Sequence, residues 1–331
     1  MNISDIAKLA GVSPATVSRC LNDGCVGKKK REKILRVIAQ TGYMPKGSLP
    51  KAQCGIGQLI AVITPLISME IITEILEGIT KQLDGTDYFP LLISADSNVQ
   101  LELKYLRLFR DNEIEGVLFI ASYLTPEHYD ILNSYQKPIV IINRRVENCS
   151  CVYFNDYEAS KLAVKRLISD GCTKIAHIYL NPENNSADRD KIDACYDAIM
   201  DGGLTYEPRF MLRAEPTIDG GRHAMSRLID DRAKFDGLFC SADILAFGAL
   251  KLLESYRIPI PERLSVTAIG SSRYNTAMQP SITCVKYDYC GAGREACRIL
   301  LEEINGYSPI RQYRLGHELI EGDSTKIIWS I

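Results

Sequence analysis

Apolar residues follow two regimes along the 331-residue chain. Up to about Gly42 they recur at helical spacing in short runs. From about Gln58 they gather into strand-length blocks separated by amphipathic stretches. The first regime predicts three short helices. Ser4 is placed to cap the first, with Ile6, Leu9 and Ala10 as its apolar face. Gly11 stops it, because the residue just past a helix often takes positive φ. Ser13 caps the second helix and Pro14 falls in its first turn, where a missing N–H costs nothing. Val17 and Leu21 lie four apart and can pack on Ile6 and Leu9, leaving Thr16, Ser18, Arg19 and Asn22 on other faces. A third helix is predicted from about Lys28 to Thr41, with Ile34, Leu35 and Ile38 inward and Gly42 as its stop.

The second regime alternates strand and helix. "LIAVIT" (59–64), "FPLLIS", "GVLFIA" and "PIVIIN" read as buried strands. Between them lie one helix carrying Ile71, Ile72, Ile75, Leu76, Ile79 and Leu83, stopped by Gly85, and another carrying Leu101, Tyr105, Leu108 and Phe109. A second set follows: a helix from about Tyr157 to Asp170, "KIAHIYL", a helix near Asp190–Met200, "FDGLFCS", a helix near Ile244–Tyr256, and "LSVTAIG". Apolar strands alternating with amphipathic helices imply parallel sheets covered on both faces. About ten strands are expected, enough for two such units. Ligands in these folds bind beyond the C-terminal strand ends, often between domains.

Charge changes the picture at the front. Residues 1–51 carry ten basic side chains against three acidic ones, although the whole chain has a net charge of -2. A basic head on an acidic body is the asymmetry of a nucleic-acid-binding module joined to something else. Two helices joined by a turn containing Gly11 then read as a helix-turn-helix, whose second helix enters the major groove. The run "KKKREK" taken alone would be a solvated helix face.

These residues carry a resemblance. "ISDIAKLAGVSPATVSRCLN" followed by "REKILRVIAQTGYMP" is closely similar to the head of the LacI/GalR family of bacterial transcriptional repressors. "FNDYEASKLAVKRLISDGCTKIAHI", "DGLFCSADILAFGALKLL", "IPERLSVTAIG" and "PSITCVKYD" extend it over nearly all of the body. The resemblance implies an all-α helix-turn-helix head (1–45), a linker (46–57) and an effector-binding and dimerisation body (58–331). The body would have the periplasmic-binding-protein type I architecture, two α/β lobes joined by three crossovers near Asn155, Asp288 and Leu319. Lobe 1 would hold 58–154 and 288–319, lobe 2 155–287 and 320–331. The implied partners are double-stranded operator DNA, a second copy of the chain in a homodimer, and a small effector, a sugar or sugar phosphate.

The family's DNA contacts map onto Ser4, Ser13, Pro14, Ala15, Thr16, Ser18, Arg19, Asn22, Lys28 and Leu49. By resemblance, Thr16, Ser18 and Asn22 grip phosphates and Arg19 reaches a base. The two positions after the capping serine usually choose bases, but here they are Pro14 and Ala15. Neither has a side-chain hydrogen-bonding group, so Arg19 is expected to supply most direct discrimination. The linker "KGSLPKAQCG" departs from the family: Gly47 and Pro50 are poor interior helix residues. Leu49 alone could serve as a minor-groove wedge.

The effector site departs further. Asn143 stands where the family often has an aspartate, and Ala242 replaces the asparagine before Asp243. Ile192 takes an arginine's place, with Arg189 or Lys191 able to substitute one turn earlier, and Gly270 takes an aspartate's. Tyr287 could close the cleft by stacking on a pyranose face. The expected effector contacts are therefore Asn143, Arg189, Asp243 and Tyr287.

Other classes fit less well. "GIGQLI" (55–60) precedes a strand and has Ile60 where a dinucleotide loop needs its third glycine. Gly-x-Ser-x-Gly, His-Glu-x-x-His and a phosphate loop are absent from the sequence, so no enzyme and no cofactor is expected. A transported-solute receptor shares the body but needs an export signal and no DNA-binding head. A regulator answering to a phosphorylated protein, or to a purine, remains compatible. Eleven cysteines, odd in number and without a Cys-x-x-Cys pair, are read as buried reduced thiols, and no metal is expected. Cys149-Ser-Cys151 is the nearest approach to such a pair. No apolar run has the length of a membrane span and "MNISDIAKLAG" does not read as a secretory signal, so a cytoplasmic protein is expected.

Overall fold

The computed structural model describes the chain except residues 1–2, 22–25, 42–57, 68–69, 122, 182–185, 233, 271, 308 and 327–331, and the side chains of Ser4, Leu21, Ala39, Gln40 and Ser186. It divides into two compact units, residues 1–57 and 58–331. The linker and its Leu49, together with Asn22, lie outside the described residues.

The head unit is three helices: α1 (Ile3–Ala10), α2 (Pro14–Leu21) and α3 (Lys28–Thr41). Ser4 falls inside the first turn of α1 rather than at its cap. Ile6, Ala7, Ala10, Val17, Cys20 and Ile34 form the core, with Val37 and Ile38 packed against it. Leu9 and Leu35, expected inward, are 60% and 48% exposed. The reason is angular. Each lies about 100° from the centre of the buried stripe of its helix, set by Ile6, Ala7 and Ala10 in α1 and by Ile34, Val37 and Ile38 in α3. Gly11 has φ +65° and its N–H donates to the Lys8 carbonyl, while the Val12 N–H reaches the Ala7 carbonyl. A left-handed residue there closes α1 and turns the chain into α2.

The body unit has two six-stranded sheets. The first contains β1 (Gln58–Thr64), β2 (Tyr88–Ser94), β3 (Gly116–Ile120), β4 (Ile139–Ile142), β5 (Ser150–Phe154) and β11 (Gln312–Leu315), in the order β11-β5-β4-β3-β1-β2. The second contains β6 (Ile175–Tyr179), β7 (Met211–Arg213), β8 (Gly237–Cys240), β9 (Ser265–Ile269), β10 (Thr283–Tyr287) and β12 (His317–Ile320), in the order β12-β10-β9-β8-β6-β7. All pairings are parallel except β10 with β12. The two strands beyond the expected ten or so reflect short edge segments. The edge strands β7, β11 and β12 have three or four residues each and are partly exposed, so they carry no continuous apolar block.

The chain leaves the first sheet after Phe154 and returns after Tyr287. It crosses for the third time at Gly316, between β11 and β12. The crossing expected near Leu319 is displaced, because Leu319 already pairs with Val285 in the second sheet. Helices cover both faces of each sheet: α4 (Glu70–Leu83), α5 (Val99–Asp111), α6 (Pro126–Asn133) and α11 (Tyr289–Ile304) on the first, α7 (Asp156–Ser169), α8 (Ser186–Asp201), α9 (Ile218–Asp230) and α10 (Asp243–Ser255) on the second. In α5 the buried apolar residues are Leu103, Leu106 and Phe109, whereas Leu108 is 47% exposed. Of the expected face, Phe109 is buried, Leu101 and Tyr105 are half-buried and only Leu108 turns to solvent.

One core runs under α4 and α11, through Phe154 and Tyr287, and on to the inner faces of α7 and α8. The lobes are therefore joined by apolar packing at the crossovers. Within each lobe one helix pair meets through reciprocal glycines. A Cβ at Gly78 of α4 would run into the Cys290 carbonyl, and one at Gly293 of α11 into the Ile75 carbonyl. Gly221 of α9 and Gly248 of α10 stand in the same relation to the Leu245 and Ile218 carbonyls. No helix among the described residues is long and apolar enough to cross a membrane.

Candidate nucleic-acid interface and effector cleft

In the head, Val17 and Cys20 anchor α2 to the core. Helical periodicity then turns Pro14, Ala15, Ser18 and Arg19 to the opposite side. Pro14, Ala15 and Arg19 are exposed and Ser18 is half-buried. Ser13 caps α2: its Oγ accepts from the Thr16 N–H at 3.3 Å and lies 2.8 Å from the Thr16 hydroxyl. The Thr16 side chain is thus tied into the cap. Lys28, Lys29 and Lys30 form the exposed first turn of α3, which has no acidic side chain. Cations at a helix N-terminus oppose the macrodipole, so this turn gains from an anion placed against it.

In the body, the C-terminal ends of the strands face each other across the cleft. Glu70 opens α4 beyond β1, and Arg273 lies beyond β9 in the other lobe. The Arg273 N–H and its Nε donate to the same Glu70 oxygen at 3.0 and 2.8 Å, an ion-pair latch between lobes. Burial alone would raise the Glu70 carboxyl, but the Arg273 N–H and guanidinium and the Ser272 hydroxyl outweigh it and hold it below its ordinary value. A lowered carboxyl contributes stability above its unfolded pKa and loses it as pH falls through the folded value. The melting-temperature gap between the chain and a Glu70→Gln variant is therefore expected at pH 7 and should close below about pH 4, the range of an ordinary glutamate. A gap independent of pH would assign the effect to something other than this carboxylate.

Deeper in, charged groups of both lobes meet at the crossovers. Lys191 lies 3.5 Å from Asp156 and 3.6 Å from Asp188. The Tyr287 hydroxyl donates to Asp156 Oδ1 at 3.0 Å. The Tyr287 ring stacks on Phe154 at 4.5 Å, and Tyr289 meets both edge-on. Burial raises the Asp188 carboxyl, with Lys191 and Arg144 opposing it. Burial lowers the Arg144 guanidinium, with Asp156, Asp188 and Asp190 opposing that. The Tyr289 hydroxyl is held well above its ordinary range, first by burial and then by the Asp156, Asp243 and Glu74 carboxylates.

Beside this cluster is a cavity of about 280 Å³, lined by Asn143, Arg144, Arg145, Tyr153, Phe154, Asn155, Asp156, Ala187, Asp190 and Arg314. Of the four expected effector contacts it contains Asn143, which sits at the end of β4 with φ +75°. Arg189 is exposed and is not a lining residue; Ala187 and Asp190 are the lining residues of its helix. Asp243 is not a lining residue, and its Oδ2 accepts from the Ser272 N–H at 2.8 Å. Tyr287 is 3% exposed, with a face on Phe154 and its hydroxyl on Asp156, so it offers no free face to a sugar. The lining residues Arg144 and Arg145 directly follow the apolar block "PIVIIN", and reading past that strand end would have found them. Arg314 carries no such signal, because its strand is short and mostly polar.

A small helical head followed by two α/β lobes around a cleft defines a DNA-binding regulator with a ligand-sensing body. Residues 2–46 match the family of bacterial regulatory proteins, lacI family, and residues 164–325 match the periplasmic binding protein-like domain. The sucrose operon repressor of Staphylococcus xylosus is 32% identical over 299 residues, covering 89% of this chain and 91% of the relative. The HTH-type transcriptional regulator RegA of Clostridium saccharobutylicum is 27% identical over 328 residues, covering 98% of this chain and 99% of the relative. The structure of the lac repressor dimer bound to operator and the anti-inducer ONPF shares the fold, with a TM-score of 0.74 at 18% identity over 98% of this chain and 99% of that one. The chain belongs to the LacI family of bacterial regulatory proteins, and it is a DNA-binding transcriptional repressor with an effector-binding body.

Proposed function

We propose that this repressor senses a small carbohydrate in the cavity beside Asn143, and that occupancy of the cavity alters its hold on operator DNA. The observation that carries this reading is the cavity lining. Guanidinium, amide and carboxylate groups from both lobes converge on a space of about 280 Å³, small by the standard of ligand sites. Sugar hydroxyls donate to carboxylates and accept from guanidinium and amide N–H groups, so one ring can satisfy both kinds. A ligand held by both lobes changes their relative free energy, which is the coupling between effector and operator sites. A purine is served less well, because most of the lining side chains are polar or charged and suit hydroxyls.

On DNA, Arg19 reads a base edge from the exposed face of α2. Thr16, Ser18 and Asn22 set register against phosphates, with Ser4, Ser13 and Lys28 beside them, Pro14 and Ala15 offer only apolar contact to a base edge, and Leu49 is the minor-groove wedge. The chain acts as a homodimer, which brings two heads to a two-fold operator. The uncovered edge strand β2, with Phe89 50%, Leu91 39% and Leu92 36% exposed, supports a partner on the first lobe. It acts in the cytoplasm, where the chromosome is, and catalyses no reaction. Control by a phosphoprotein has no observation in its favour.

The test is a thermal-shift series on the full chain with sugars, sugar phosphates and purines. A carbohydrate that binds stabilises the fold as the logarithm of its concentration over Kd, by about 2.7 kcal/mol at a hundredfold excess, and so raises the melting temperature. A shift with a purine and with no carbohydrate would overturn the assignment.

A further inference from the structure

We infer that the effector carries a phosphoryl group: it is a phosphate ester of a monosaccharide-sized polyol, with its dianion seated between Arg145 and Arg314. This rests on the cavity beside Asn143 being the effector site, and it names the chemistry that site selects. The two lobes contribute unlike charges to the lining. The first lobe supplies three guanidinium groups, Arg144 and Arg145 at the end of β4 and Arg314 on β11, and no carboxylate. Asp156 and Asp190 come from the start of the second lobe.

The cations are not equivalent. Arg144 lies within the field of Asp156, Asp188 and Asp190, so its charge is answered inside the protein. Asp156 is in turn engaged with Lys191 and the Tyr287 hydroxyl. Arg145 and Arg314 form no ion pair with any described residue, yet both line the same cavity. Both are exposed at the cavity, where water screens them, and an anion that reached both would be held by two guanidinium groups. Guanidinium pairs suit a phosphate, whose oxygens accept in the fork geometry that arginine presents. The remaining groups, Asn143 and Asp190, are left for hydroxyls. The volume of about 280 Å³ matches about one sugar ring with its phosphate.

The experiment is a calorimetric titration of the full chain in low-salt, phosphate-free buffer with matched pairs. These are glucose and glucose 6-phosphate, fructose and fructose 6-phosphate, and ribose and ribose 5-phosphate, with inorganic phosphate as a separate titrant. A charge-assisted hydrogen bond corresponds to roughly tenfold to a hundredfold in affinity, so at least one ester should bind that much more tightly than its parent sugar. Arg314→Gln, a change at an exposed position, should lower the affinity for the ester by about tenfold or more beyond any loss it causes for the parent sugar.

Parent sugars binding as tightly as their esters would overturn the phosphoryl inference and leave the carbohydrate reading standing. An ester preference that survives both Arg314→Gln and Arg145→Gln would overturn the seat assigned here. Inorganic phosphate binding as tightly as every ester would replace the ester by the free ion and overturn the inference. If no sugar and no ester binds, both this inference and the carbohydrate reading fall.

Discussion

Replacing Arg19 with alanine is expected to remove most of the repressor's preference for its operator over random DNA. Arg19 is the long polar side chain on the exposed face of α2, flanked by Pro14, Ala15 and the half-buried Ser18. Pro14 and Ala15 can touch a thymine methyl but cannot donate or accept through their side chains. A bidentate arginine–guanine pair is worth about 1–3 kcal/mol of discrimination, roughly fivefold to 150-fold in the operator-to-random ratio. Competition binding at one fixed salt concentration measures that ratio directly. Ser18→Ala is the contrast: without its hydroxyl on a phosphate, both DNAs should bind more weakly by the same factor, leaving the ratio near its original value. A ratio unchanged in the Arg19→Ala protein would mean that the base reading lies elsewhere.

The largest stability effect is expected from Gly78→Ala or Gly248→Ala. Alanine in a helix interior is ordinarily favoured over glycine by roughly 0.5–1 kcal/mol. Here the added Cβ would meet the carbonyl of Cys290 or of Ile218 on the partner helix. A backbone carbonyl cannot swing aside as a flexible side-chain end can, so the helices must separate. Overpacking of this kind costs about 3 kcal/mol, at the upper end of the usual range, and outweighs the propensity gain. For a body of this size the melting temperature should fall by about 6–12 °C. Gly316→Ala is the control, since a Cβ there meets nothing within 4 Å and its φ is ordinary. Equal losses in all three variants would show that close helix approach is not what these glycines provide.

These two expectations draw on different levels of the molecule. The head was legible almost to the residue. Gly11, Ser13 and Pro14 carry the turn, cap and first-turn chemistry that local backbone preferences dictate, and a three-helix unit has little else to decide. What failed there was the cap at Ser4, which lies inside α1, and the facing of Leu9 and Leu35. Apolarity alone nominated them for a core whose centre the neighbouring helices placed about 100° away. The body's alternation was equally plain, because strands buried on both faces must be continuously apolar. Its edges were not. β7, β11 and β12 are short, partly exposed and held by pairing with a neighbour, so their residues need no apolar signature.

The effector site was the least legible part. Asn143 could be placed because a strand end is a local feature. The partners Arg144, Arg145, Asp156, Asp190 and Arg314 come from segments up to about half the chain apart, brought together only when β11 pairs with β5 and the chain crosses after Phe154. Tyr287 reads as a free aromatic in sequence and is a buried hinge ring in the structure, because Phe154 and Asp156 reach it from the other crossover.

By itself, then, the sequence determined a basic helix-turn-helix head, a doubly covered α/β body and the repressor family to which both belong. Helical period, strand burial and capping are properties of neighbouring residues. Only the tertiary structure decided where the third crossover falls, which glycines carry helix contacts, how Glu70 and Arg273 latch the lobes and which charges share a cavity. Each of these depends on the distance between residues remote in the chain, and no local pattern encodes a distance that the folding of the intervening segments creates.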